Sequence, residues 1–201
     1  MYAFLYGLST GFSLIIAIGA QNVFVLKQGL KKQSIFWVCL ICALSDSLLI
    51  LAGVLGMSKV VVKFPQVVMI AKYTGAIFLV SYGLIHLISA IKNNDRFVLG
   101  TEQHQSLYRV VLTCLAFTWL NPHVYLDALF LVGSISLQFE SFAWQFAIGV
   151  ILASWIFFFS LGYGARLLLP LLKKAGTWRY LNFLIALIMW GIAYRLLAFT
   201  A

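Results

Sequence analysis

Ala20-Gln21-Asn22-Val23-Phe24-Val25-Leu26-Lys27 sets two amides inside an otherwise apolar stretch, and Leu120-Asn121-Pro122-His123-Val124-Tyr125-Leu126-Asp127 repeats the arrangement 100 residues later. Gln21 aligns with Asn121, and Leu26 with Leu126. Amides are costly in hydrocarbon unless something there bonds to them. A polar break at matching positions in two halves of an apolar chain points to a transporter binding site.

Composition sets the medium. The chain has 201 residues, 63% hydrophobic and 9% charged, whereas soluble domains carry about 25% charged residues. It is an integral membrane protein, and all 201 residues fit one transporter domain. About 20 apolar residues cross a bilayer as a helix. Six spans are expected, near 4–26, 35–57, 66–91, 110–134, 142–164 and 180–200. They are helices, because barrel strands alternate every other residue and these runs do not. No Lys or Arg precedes the first span, so it is expected to be retained as a helix and not cleaved as a signal peptide.

The symmetry extends outward from the opening pair. Ser45 and Gly53 recur as Ser154 and Gly162, 109 residues on, and Tyr82-Gly83 resembles Trp190-Gly191, 108 residues on. Three spans per half force opposite orientations, which gives an inverted repeat. The expected fold is all-α: six transmembrane helices as two inverted three-helix repeats. Repeat 1 covers about 1–91, a polar loop 92–109, and repeat 2 about 110–201.

The formal net charge is +9. The basic residues punctuate apolar spans and form no patch interleaved with aromatics, which argues against nucleic acid as a partner. Ten of the 14 Lys and Arg follow spans 1, 3 and 5. The positive-inside rule sets that side in the cytoplasm and both termini outside.

Asp46 is the sharpest single residue. It sits mid-way along the apolar run Ile35 to Met57 with no other charge there. A carboxylate at the bilayer centre costs about 2.5–3.5 kcal/mol on insertion scales, so it faces a cavity, pairs with a cation or holds a proton. Asp127 lies about five residues past Asn121-Pro122, in the lower half of the fourth span, where it faces either the same cavity or the membrane interface. Asn121-Pro122 breaks that span, since proline removes an amide donor and clashes one turn back. The freed carbonyls and the amides of Gln21, Asn22 and Asn121 suit a substrate. Trp155 lies mid-span, where its ring suits stacking on a cation.

His86, His104 and His123 are far apart in sequence and show no zinc-ligand spacing, so no metal is expected. No Walker loop, dinucleotide glycine pattern or catalytic triad is visible, so neither cofactor nor enzyme activity is expected. Cys39-Leu40-Ile41-Cys42 and Cys114 lie within spans. They suit small apolar packing, with a transmembrane thiol relay as the alternative. Gly53-x-x-Gly56 suits helix contact within or between protomers, which keeps a homo-oligomer open.

The chain resembles the lysine exporter (LysE) family, and within it the branch that exports lysine and arginine. The resemblance rests on Ile18-Gly19-Ala20-Gln21-Asn22, Ala43-Leu44-Ser45-Asp46, Trp119-Leu120-Asn121-Pro122-His123-Val124-Tyr125-Leu126-Asp127 and Ala153-Ser154-Trp155. The Pro-Gly-Pro typical of the neutral amino-acid exporters is missing from helix 1. The resemblance implies export of arginine or lysine across the bacterial inner membrane by a multi-pass, lipid-embedded protein. Asp46 and Asp127 would meet the cationic substrate, and half-helix N-termini or the amides of Gln21 and Asn121 its carboxylate. Export of a cation against an inside-negative potential needs exchange for protons or another cation, with Asp46 as the candidate proton site. Neutral amino acids or metal cations are the alternative cargo on this fold.

Overall fold

In the computed structural model, residues 1–16, 19–56, 65–91, 106–167 and 177–198 are described, and all their regular structure is helical. The elements are α1 (Tyr2–Ile15), α2 (Ala20–Lys31), α3 (Ile35–Val54), α4 (Pro65–Ile91) and α5 (Leu107–Trp119), then α6 (Pro122–Tyr125), a π-helical turn (Leu126–Leu131), α7 (Val132–Ser136), a 3-10 segment (Leu137–Phe142), α8 (Ala143–Gly164) and α9 (Thr177–Ala198). Most of the polar loop expected at 92–109, with His104, lies outside the described residues, and α5 begins at Leu107.

Expected spans 2, 3, 5 and 6 match α3, α4, α8 and α9 within a few residues. Spans 1 and 4 are each split. Four helical stretches are long and apolar enough to cross a membrane, and the bent α1–α2 pair makes a fifth. One of the four, Pro122–Leu167, runs through Glu140, whose backbone at φ 43° and ψ −113° is not helical.

Both splits lie at the amide segments. α2 leaves α1 at 82°, starting at Gly19 in extended backbone. Asn22 Nδ2 donates to the Ile15 carbonyl at 2.9 Å and so ties the second half-helix to the end of the first. In the other half, Asn121 is extended and Pro122 opens α6, where proline's missing N–H costs nothing. Asn121 Oδ1 accepts from the His123 amide at 3.2 Å, an N-cap that satisfies one free donor. Tyr125 Oη donates to the Trp119 carbonyl at 2.6 Å. Thr118 Oγ1 donates back to the Cys114 carbonyl at 3.2 Å.

The two halves pack through each other. α1 runs along α8, α4 along α9, and α3 against α8. Each second half-helix also meets the long helix of the other half at paired glycines. A Cβ on Gly29 of α2 would collide with the Gly162 carbonyl of α8, and one on Gly133 of α7 would lie 2.7 Å from the Gly53 carbonyl of α3. Small residues let backbones approach where burial alone gives helices no drive to associate.

One apolar cluster centres on Phe24, Val38, Cys42, Phe117 and Met189, and another on Leu49, Ile50, Leu129, Val132 and Phe146. Leu48, Ile77, Ile85, Ile148, Ile156 and Leu187 are exposed on the outside, as lipid-facing side chains are.

Candidate functional site

The two helix breaks open onto one cavity of about 320 Å³. Gly19, Ala20, Gln21 and Asn22 line it from the first break, and Asn121, His123, Val124 and Asp127 from the second. Asp46 and Ile50 contribute from α3, and Ile192 and Arg195 from α9. The volume is at the lower end of small-molecule pockets.

Of the residues expected to form a site, Gln21, Asn22, Asp46, Asn121 and Asp127 line this cavity. Pro122 and Trp155 are not among the lining residues. Pro122 is buried beneath the second break. The Trp155 indole donates to Ser47 Oγ at 3.1 Å and stacks on Phe159 with ring centroids 5.9 Å apart.

Three consecutive residues of α3 take hydrogen bonds from the second half. Trp119 Nε1 donates to Ser45 Oγ at 3.3 Å. Ser154 Oγ donates to Asp46 Oδ2 at 3.1 Å. Trp155 Nε1 donates to Ser47 Oγ. Asp46 is thus fixed where α3 meets α8 while part of it stays accessible from the cavity. Gln21 lies beside it and beside Cys42. Gln21 is only 6% exposed, and its Nε2 has no hydrogen-bond partner. A buried donor left unmet costs about 1–3 kcal/mol, so this amide is a place where a ligand acceptor gains affinity.

Three residues outside the expected set matter at this site. Ser154 figured only as a symmetry marker, yet it holds Asp46. His123 stands in the sequence only among three histidines without zinc-ligand spacing, yet it lines the cavity and lies beside Asp127. Arg195 was only part of the charge tally, yet it sits three residues after Ile192 on the cavity side of α9. Its signal was available: a cation in the last turn of an apolar helix, spaced to share a face with Ile192.

A second polar cluster lies away from the cavity. His86 of α4 is 2% exposed. Its Nδ1 is 2.9 Å from Asn182 Oδ1 of α9, and its Nε2 is 3.0 Å from Lys27 Nζ of α2. With Asn182 accepting, Nδ1 carries the proton and Nε2 accepts from the lysine ammonium. Tyr82 lies against the ring at 4.7 Å.

The three cysteines are free and buried. Cys42 and Cys114 sulfurs are 3.2 Å apart, and Cys39 donates to the Phe158 carbonyl at 3.2 Å. With no exposed surface, none is open to a thiol-exchange partner, which favours packing over a relay.

The LysE type translocator family model matches residues 12–199. The chain is 38% identical over 192 residues to the arginine exporter protein ArgO of Salmonella schwarzengrund (strain CVM19633), covering 94% of this chain and 90% of that one. The same identity and coverage hold for the arginine exporter proteins ArgO of Salmonella enteritidis PT4 (strain P125109) and Klebsiella pneumoniae (strain 342). No solved structure matches. The chain therefore belongs to the LysE type translocator family: it is a transporter, not an enzyme, held in the bacterial inner membrane by several apolar helices.

Proposed function

We propose that the protein is a secondary-active exporter of basic L-amino acids, arginine or lysine, with residues 1–201 acting as one transporter domain. The observation that carries this is the cavity at the two helix breaks, which holds two carboxylates, Asp46 and Asp127, in a chain with only five acids. Carboxylates this deep in apolar helices are costly unless a cation meets them. The relatives named as arginine exporters support the same cargo.

In this account Asp46 and Asp127 receive the substrate's cationic groups. Gln21, Asn22 and Asn121 supply amides at the break points, and Pro122 keeps the second break open. Trp155 acts through Ser47, holding α8 against α3 beside Asp46. Arginine moves outward against an inside-negative potential worth about 2.3 kcal/mol per charge at 100 mV. Exchange for an incoming proton or another cation supplies the drive, and Asp46 is the group placed to alternate between proton and substrate.

The same account makes the chain two inverted three-helix repeats with six spans, α1–α2 and α5–α7 each forming one broken span. The reciprocal glycine contacts, Gly29 on Gly162 and Gly133 on Gly53, support it. So does the pairing of α3 with α8 and of α4 with α9. Repeats that exchange partners in this way suit alternating access around a fixed site.

The test is efflux from cells fed dipeptides, with labelled arginine, lysine and a neutral amino acid compared in the presence and absence of the protein. Protein-dependent efflux of arginine or lysine, and not of the neutral control, is expected. Efflux of the neutral amino acid alone would contradict the assignment. Collapse of the proton gradient should slow efflux, and an unchanged rate would exclude proton exchange.

A further inference from the structure

We infer that Arg195 anchors the α-carboxylate of the substrate, so that the cavity selects a basic amino acid and not merely an organic cation. This inference rests on the proposed export of basic amino acids. Asp46, Asp127 and Arg195 all line the one cavity. Yet they are not neutralised by one another. Asp46 accepts from Ser154, and Asp127 lies beside His123. Among the described residues no hydrogen bond or ion pair engages Arg195. An unengaged guanidinium and two carboxylates sharing a cavity of about 320 Å³ form a template of two negative charges and one positive. A basic amino acid presents the inverse, two ammonium-type cations and one carboxylate.

Two further features point to a ligand acceptor. Gln21, with its unpartnered and buried Nε2, lines the same cavity, and the carboxylate is the only strong acceptor a basic amino acid carries. The N-terminus of α2 also opens there, with no acidic residue in its first turn, and helix N-termini favour anions. Arginine is the side chain whose planar fork matches a carboxylate, two parallel bonds at once. Its place on α9, outside both amide segments, puts a long helix of the scaffold in contact with the substrate.

The discriminating substrate is agmatine, which is arginine without its carboxylate. In inside-out membrane vesicles the protein should move labelled arginine in preference to agmatine. Arg195→Gln should raise the arginine KM at least about tenfold, the scale of a lost charged hydrogen bond, while agmatine transport stays at its original level. Arg195→Lys should recover part of the arginine affinity. Equal loss of both substrates in Arg195→Gln would mean a structural role and overturn the inference, as would a retained preference for arginine. If the unsubstituted protein moves arginine and agmatine equally, the carboxylate anchor fails and cation export stands. If it moves neither, the export function fails as well.

Discussion

Ser154 Oγ donates a 3.1 Å hydrogen bond to Asp46 Oδ2, and this bond joins the long helices of the two halves at the wall of the cavity. The donor is the residue that sequence symmetry pairs with Ser45, the neighbour of the acceptor. Helix α8 therefore orients the carboxylate of α3.

Ser154→Ala should leave the protein in the membrane and weaken transport. A hydrogen bond to a charged group is worth about 1.5–3 kcal/mol, so the arginine KM should rise by roughly tenfold or more. Ser154→Thr, which keeps the hydroxyl, should retain more activity. Vesicle transport kinetics of the two variants check this, and equal losses would point to crowding in place of the lost bond.

Asn182→Leu removes the acceptor that fixes His86 between α9 and Lys27. A buried donor left without a partner costs about 1–3 kcal/mol. The expected outcome is a lower unfolding temperature of the detergent-purified protein. His86→Leu with Asn182→Leu should lose less than the sum of the two single substitutions, because the His86–Asn182 bond is then lost only once. A pair of additive losses would show that the contact contributes nothing.

Gly29→Leu should reduce the amount of folded protein, because any Cβ there meets the Gly162 carbonyl. Overpacking costs about 1–3 kcal/mol, occasionally more. Gly164→Ala is the control, with no atom of the described residues within 4 Å of the added Cβ. Monodispersity in size-exclusion chromatography should fall for the first and hold for the second.

Asn121→Ala loses the cap on α6 and should cost about 0.5–2 kcal/mol, while Asn121→Asp keeps it. Thermal unfolding separates the two. Similar stability for both would show that the cap is not what holds the second break.

Much of this was legible in the chain because bilayer solvation leaves few choices. Runs such as Ile35 to Val54 are apolar throughout, and only a helix satisfies their backbone in lipid. The amides at Gln21 and Asn121 marked both breaks, since a polar group in such a run needs a partner or a cavity. The 82° turn at the first break was not legible as geometry, because Gly19 permits a bend without dictating its angle. Trp155 was legible as a mid-span aromatic but not as a donor to Ser47, because that contact depends on how α8 rotates against α3. Arg195 escaped for a related reason. Hydropathy registers a cation near a helix end as an orientation signal, and only the packing of α9 turns it toward the cavity.

Whether Asp46 receives the exported cation is decided by labelled arginine efflux in Asp46→Asn, at matched protein levels in the membrane, beside the unsubstituted protein. This variant should lose arginine export almost completely while Asp46→Glu keeps a fraction of it. Undiminished efflux in Asp46→Asn would contradict that role.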